Sequence, residues 1–584
     1  MNGKLTLNAL FAAACIALLG ACGGGGGGSS DPAPAAPAAP APVAVSVSPS
    51  SAEVDIGDTA QFTASVSNAS NTAVTWQVND VTGGNETVGT ISDTGLYTPP
   101  SELPATTNVT IRAIAAADTT RSATASVQLF PRFSNRTLSG RYAFQVSGTD
   151  GEFAYTAIGS FVADGAGGLE GVQDINVDGD FSSNIPFSGT YSINERGEGT
   201  ATLTSLSGAT DIGFVMQSRD LAFFIPVDGV ELSVGGFEKQ DASAFSNAVL
   251  DGAFVFASFG FEPGYGPVNA IGRIIGNGAG AIIDGDQDVN EAGFFIPRAP
   301  ITSGSYSVST ATGRGTASIT SASLTTAFIV YVVDAERIIF MSRDADLLSH
   351  GFLERQAAGG FSNASLNGDY VFASNGTGAF GPIVTVGRLT ADGSGNLAAG
   401  VLDENYAGFI GDGVDFDGSY AISSDGRGTA TTTSAGGDFS VVSRMVNGDR
   451  FVFLHTENDR VVTGSAIAQQ GGLSAATLDG SYALLGGGRT PNERFEVIGT
   501  LSGDGAGIVA VDLTVAVAEF APFMVGIWPL AGAGSYQLAA NGRGVGAIPG
   551  FSENMRFYMA SPERLVLINH ETQEVASFGG RKRY

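Results

Sequence analysis

Most of this chain is one pattern written four times. "LSGRYAF", "LDGAFVF", "LNGDYVF" and "LDGSYAL" open four units whose glycines stand at 140, 252, 368 and 480. The period of 112 to 116 residues is too long for a solenoid turn and suits an independent small domain. Each unit continues with a glycine-rich polar turn ("ADGAGG", "GNGAGA", "ADGSGN", "GDGAGI"). A Gly-Ser/Thr-Tyr strand then ends in Tyr191, Tyr306, Tyr420 or Tyr536, followed by a Gly-x-Gly turn and two apolar strands. About eight short strands per unit, joined by tight turns, fit an up-and-down β-barrel, because closure removes exposed sheet edges. A two-sheet sandwich repeat is the alternative. The repeats fall at 134–241, 245–357, 361–471 and 473–584.

Composition supports an all-β chain. Of 584 residues, 83 are glycine, 43% are hydrophobic and only 15% are charged, with few helix formers between the alternating apolar positions. The net charge of −29 argues against nucleic acid as a partner, since phosphate backbones reward clustered Lys and Arg. It also disfavours charge-driven binding to an anionic lipid surface.

The N-terminus reads as an address. Lys4 supplies a basic start, "LTLNALFAAACIALL" an apolar core and "LGAC" a small-residue cleavage site ending in Cys22. This ending resembles the bacterial lipobox. The resemblance implies a signal peptide over 1–21, lipidation of Cys22 and anchorage to a membrane through that lipid. Gly23 stands where inner-membrane lipoproteins carry Asp, so the resemblance favours the outer membrane, with periplasmic and surface-exposed orientations both open. Cys15 would leave with the signal, so the mature chain has no disulfide. Residues 22–42, "CGGGGGGSSDPAPAAPAAPAP", form a flexible and then extended linker.

Residues 43–131 read as seven or so short strands, the pattern of an immunoglobulin-like sandwich with Trp76 as core plug. The run from "VSPSSAEVDIGDTAQFTASV" through "VTW" to "GLYTPP" resembles bacterial Ig-like domains of the BIG family, which implies a spacer or adhesive module. The openings "L-x-G-x-Y/F-x-F" loosely resemble the first strand of avidin- and lipocalin-like barrels, with Tyr or Phe in place of Trp. The expected architecture is therefore an Ig-like β-sandwich followed by four tandem antiparallel β-barrel-like domains.

Chemistry-bearing residues are sparse. After the polar turn, three units carry a carboxylate and an amide two residues apart: Asp174 and Asn176, Asp288 and Asn290, Asp403 and Asn405. Oxygen donors of this kind suit calcium, and these six are the candidate metal ligands. They are too few and too far apart for an EF-hand, so a backbone-driven turn is the preferred reading. The fourth unit has Asp512-Leu513-Thr514 instead. Arg314, Arg427 and Arg543 share one position in the Gly-x-Gly turn, where the first unit has Glu198, and read as exposed hairpin arginines. His350, His455 and His570 fall in separate units, so no triad or zinc site is expected, and no cofactor is implied. "VAEFAPFMVGIWPLAGAG" (517–534) is the most apolar stretch after the signal, and "RKRY" reads as a solvated tail.

Three functions compete. A lipid-anchored structural or adhesive envelope protein with a glycan or protein partner comes first. Barrels that bind a small molecule come second, and a polysaccharide hydrolase using paired carboxylates third.

Overall fold

The computed structural model describes residues 41–149, 153–206, 208–229, 231–322, 324–490, 492–520 and 523–583. The expected signal peptide, Cys22 and nearly all of the expected linker lie outside them. Alternation of apolar and polar residues dictates the rest. In Ser139–Thr149 the side chains of Tyr142, Phe144 and Val146 turn into a core, and the same period runs through the strands that follow. A strand with one apolar face and no helix to cover it must curl against its neighbours. Each repeat accordingly forms a closed antiparallel barrel of eight strands in sequence order. Its first strand pairs with its last: Tyr142 with Lys239, Phe254 with Arg355, Tyr370 with Ala468 and Tyr482 with Lys582. The barrels span 139–239, 251–355, 367–468 and 479–582.

One end of every barrel is plugged by the recurrent tyrosine. A short 3-10 turn precedes each first strand, and the phenolic O–H of Tyr191, Tyr306, Tyr420 and Tyr536 donates to the carbonyls of Leu138, Leu250, Leu366 and Leu478. The glycine-rich turn beside it is a capped hairpin. Asp164 Oδ1 accepts from the amides of Ala166, Gly167 and Gly168, with Gly165 and Gly167 at positive φ. Ahead of the barrels, Trp76, Phe62, Tyr97 and Ile111 fill the core of a sandwich built from a five-stranded sheet and smaller open sheets.

The four barrels form a ring. Apolar residues on outward-facing strand positions make three successive joints: Ala143 and Ile158 against Ile339 and Met341, Val255 and Ile271 against Val442 and Val452, and Val371 and Val386 against Ala560 and Ile568. A fourth cluster joins the last barrel to the first, with Ile498, Ala516 and Ala518 against Val215, Ile225 and Leu232. The residue after each last strand marks the same symmetry. Gln240, Gln356 and Gln469 donate to the carbonyls of Val332, Met445 and Met559 in the next barrel. Arg583 donates to Met216 of barrel 1, and its guanidinium lies 4.7 Å from the centre of the Phe133 ring. The basic tail expected to be solvated is thus a buried closing contact, and Arg583 is only 8% exposed. The apolar stretch 517–534 also finds its reason here: Ala518, Val525 and Ile527 pack on barrel 1 across this joint, while Trp528 stays exposed.

Charging the apolar seam should open the ring without unfolding the barrels. Val215→Asp with Ile498→Asp is expected to raise the radius of gyration by small-angle scattering while circular dichroism keeps its strand signal. Arg196→Ala, which removes the exposed 2.7 Å pair with Asp512 at the same seam, should leave both unchanged and cost under about 0.5 kcal/mol.

Candidate functional site

The six residues weighed as calcium ligands sit at the joints, and their oxygens are already taken. Asp174 is fully buried at a β-bulge, where pairing shifts between Gln173 and Ile175. Its carboxylate accepts from Arg314 of barrel 2 at 2.6 and 2.9 Å, from the Tyr331 hydroxyl at 2.7 Å and from the Asn184 amide at 3.2 Å. Asp403 repeats this with Arg543 at 2.5 and 2.7 Å, Tyr558 at 2.7 Å and the Gly413 amide at 2.7 Å. At the middle joint Asp288 accepts from Arg427 at 2.6 Å, from the Arg298 amide at 3.0 Å and from Arg444, which replaces the tyrosine, at 3.3 Å. Asn184, Arg298 and Gly413, each ten residues after its aspartate, have positive φ, which turns their amides toward the carboxylate.

The asparagines complete the latch. Asn176, Asn290 and Asn405 accept from the amides of Gly179, Gly293 and Gly408. Their Nδ2 groups donate to carbonyls of the next barrel, at Asp344, Arg460 and Glu574 among others. Bidentate guanidinium pairs of this kind are strong where water is excluded. The aspartate hydrogen bond leads the causes that raise the pKa of Arg314, Arg427 and Arg543. Burial, and then the neighbouring aspartate, push the Tyr331 and Tyr558 hydroxyls far above their usual range. Guanidinium donors crowd each carboxylate, so the site is built for a cation the protein supplies itself. The expectation that these arginines are exposed hairpin residues is corrected: the Arg427 side chain is 14% exposed and binds across the joint.

Among the described residues barrel 4 keeps no latch. Thr514, not Asp512, is paired with Ile498 in the register where Asp174 pairs with Ile158, and no bulge breaks this strand pair. Glu198 fills the arginine position of barrel 1. Asp403, Asp412 and His570 offer metal-type atoms within 4.8 Å of one another. However, Asp412 is bound by Arg543 and Arg556, and His570 Nε2 donates to Gly411 O. That cluster is an ion-pair knot.

Among the described residues barrels 2 and 3 hold cavities, and register explains why. Barrel 1 carries Phe161, Phe214 and Phe237 inward, with Phe161 and Phe214 each edge-on to Phe237 at 5.4 and 5.8 Å. The Phe214 ring lies on Gly199, where an added Cβ would stand 2.1 Å away. The same positions hold Ile274, Val330 and Leu353 in barrel 2, and Leu389, Ser443 and Ala466 in barrel 3. Barrel 2 encloses a cavity of about 950 Å³, with Phe256, Val289 and Phe340 in its walls and Glu262, Glu291, Asp344 and Asp346 at its mouth. Desolvation, and Glu291 beside it, raise the Glu262 carboxyl. Barrel 3 encloses about 490 Å³ between Phe372, Phe416, Val441 and Phe451, with Ser374, Thr385, Glu404 and His455 as polar points. Thr385 Oγ1 donates to Glu404 at 3.1 Å, and the His455 ring stacks on Phe439 at 5.5 Å. Its mouth is aromatic: Phe380, Tyr406 and Phe409 cluster there, with Phe380 74% and Phe409 70% exposed. His350, by contrast, faces the space between barrels, where burial lowers its pKa to about 4. The side chains of Phe520, Phe523 and Met524, within the apolar stretch 517–534, lie outside the described ones.

No family model matches the chain, and no curated protein does. Among solved structures, transferrin binding protein B from serogroup B Neisseria meningitidis aligns over 78% of this chain and 77% of its own, at 8% identity and a TM-score of 0.11. The alcaligin outer membrane receptor FauA from Bordetella pertussis aligns over 81% of each chain at 8% identity and a TM-score of 0.11. The siderophore receptor PirA from Pseudomonas aeruginosa aligns over 83% of this chain and 87% of its own, at 6% identity and a TM-score of 0.08. Such scores establish no shared fold. Among the described residues no helix is long and apolar enough to cross a membrane.

Two measurements test the latch. Asp288→Ala takes the bidentate partner from Arg427, while Arg444 keeps Asp286, and should cost about 3 kcal/mol in chemical denaturation, whereas Thr514→Ala should cost under about 1 kcal/mol. At the third joint, burial and then Glu571 push the Glu574 carboxyl from 4.5 up to about 7. The folded state therefore keeps a proton that the unfolded chain releases, and stability falls as pH rises from about 4.5 to 7. Glu574→Gln should flatten that fall in urea melts; an unchanged slope would refute the assignment.

Proposed function

We propose that this is a lipid-anchored envelope protein of the outer membrane whose ring of barrels carries a small, mostly apolar ligand in barrels 2 and 3. One observation carries the reading. Side chains that fill barrel 1 are shortened at the same register in barrels 2 and 3, leaving cavities of about 950 and 490 Å³, each open at a mouth. Those volumes are of the size that holds a small molecule, with apolar walls and a few polar points to orient it. The tyrosine plug closes one end of each barrel, so a ligand would enter by the other, past Phe380 and Phe409 in barrel 3. The lipobox-like "LGAC", the Ala-Pro linker and the BIG-like first domain support a tethered position off the membrane.

Exposed aromatic residues favour a second reading, adhesion to glycan or protein. Tyr265, Phe294, Phe380, Phe409 and Trp528 are all more than half exposed and belong to three barrels of one ring. Saturable binding on a glycan array that is lost when Phe380 and Phe409 become serine would select it.

The ligand reading is tested with N-phenyl-1-naphthylamine, whose fluorescence rises in apolar cavities. The wild type should bind it saturably. Val441→Phe and Ala317→Phe, which fill barrels 3 and 2, should each remove roughly half of the signal and together nearly all of it. A double variant that melts like the wild type and still binds the probe fully would sink the proposal.

A further inference from the structure

The ring has a bore on its pseudo-fourfold axis, a cavity of about 900 Å³ lined from all four barrels, by Tyr155, His350, Arg450 and Gly487 among others. At one mouth an ion-pair ladder circles the axis. Its rungs come from two equivalent positions per barrel, directly opposite each other on the seventh and eighth strands. These pairs are Leu221 with Glu238, Arg337 with Glu354, Arg450 with Ile467, and Arg564 with Arg581.

The first half of the ladder is complete. Arg337 of barrel 2 bonds Glu238 of barrel 1 at 2.8 Å and its own Glu354 at 2.9 Å. Arg450 of barrel 3 bonds Glu354 of barrel 2 at 2.6 and 2.9 Å. Each arginine thus reaches back to the carboxylate of the preceding barrel. By the same geometry Arg564 should meet a carboxylate at 467, where an isoleucine stands, and its cross-strand neighbour is another cation, Arg581. The position that follows Arg581 around the ring is Leu221. Four guanidinium groups therefore share two carboxylates, an excess of two positive charges in a chain whose net charge is −29. Like charges directly opposite on neighbouring strands repel, so this pair is costly as it stands. Burial, followed by Arg581 and Arg450, pushes Arg564 down to about 9. Burial lowers the Arg581 guanidinium as well, with Arg337 and Arg450 adding to it against the pull of Glu238. Access is open: Val566 and Gly579 line the bore, and each is two residues along a strand from Arg564 or Arg581, hence on the same face.

We infer that the gap in this ladder is the binding site of a doubly charged oxyanion, held by Arg564 and Arg581 with Arg450 at its side. Phosphate, sulfate and the phosphoryl group of a larger molecule share the required chemistry, since planar guanidinium groups match such oxygens pairwise. The site is separate from the barrel interiors and stands whether or not those hold a ligand.

The test uses the full chain at low chloride. Calorimetric titration with inorganic phosphate, and separately with sulfate, should show saturable binding to one site that weakens as sodium chloride is added. Arg564→Gln and Arg581→Gln should each weaken it at least tenfold. Ile467→Glu supplies the missing carboxylate from within the protein; it should abolish anion binding while raising the melting temperature. Co-sedimentation with phosphatidylglycerol vesicles separates the sources. Vesicle binding that depends on Arg564 and Arg581 assigns the oxyanion to a lipid headgroup, and free phosphate binding without it assigns a soluble ion. Absence of saturable binding in both arms, or full binding by Ile467→Glu, overturns the inference.

Discussion

Everything above the level of a single barrel depends on a buried carboxylate that finds its partner in the next domain. Asp174, Asp288 and Asp403 each stand at a bulge that turns them out of their own barrel and away from water. An isolated carboxylate could not remain there; the guanidinium of the following barrel makes the position tolerable. The cost of desolvation thus sets the angle between neighbours, because only one docking satisfies both the bidentate pair and the asparagine carboxamide. Apolar contacts around the latch supply most of the association free energy, while the polar groups select the geometry. With the same joint made three times, the chain curves back on itself and the fourth joint follows.

That curvature was not visible in the period alone, although its signature was written there. The aspartate-asparagine pair occurs in units 1 to 3 and the arginine in units 2 to 4. Two motifs that each miss one end of an array, at opposite ends, are what a donor-acceptor pair between successive units leaves behind. Comparing copies position by position instead treats Glu198 and Thr514 as failures of a site, when they are its two unpartnered ends. Residues such as Asp174 and Arg314 lie 140 apart, one repeat plus a quarter, and nothing local connects them. The barrels themselves were legible because strand alternation, turn glycines and plug tyrosines are all local signals. The fate of Arg583 was not, since a basic terminus reads as solvated until a second domain is placed against it.

Filling of the barrels sits between these cases. Substitution of Phe161, Phe214 and Phe237 by Leu389, Ser443 and Ala466 can be read by aligning the repeats, but which residues point inward depends on register, and a slip of one residue reverses every face. Once register is known, the loss of three aromatic rings from one layer explains the hollow third barrel without invoking any change of backbone. The frame has been held constant and its contents varied, the arrangement expected where one module is retained for shape and another for what it can contain.

The unequal seam between the last barrel and the first has a consequence for life among other copies. Head-to-tail contacts close into rings only if each tail meets its own head; otherwise they run on into filaments. A fourth barrel bearing the buried aspartate would expose an unsatisfied charge whenever the ring breathed, and the arginine of another molecule would serve it equally well. Here both members of that buried pair are missing, and the seam is held instead by an apolar cluster as large as those of the other joints, an exposed Arg196–Asp512 pair, and Arg583 reaching a backbone carbonyl. A seam of this kind closes when its two ends are tethered by the same chain, and when it opens it leaves no buried carboxylate for the arginine of another molecule to satisfy. The defect in the repeat is thereby a safeguard against polymerisation.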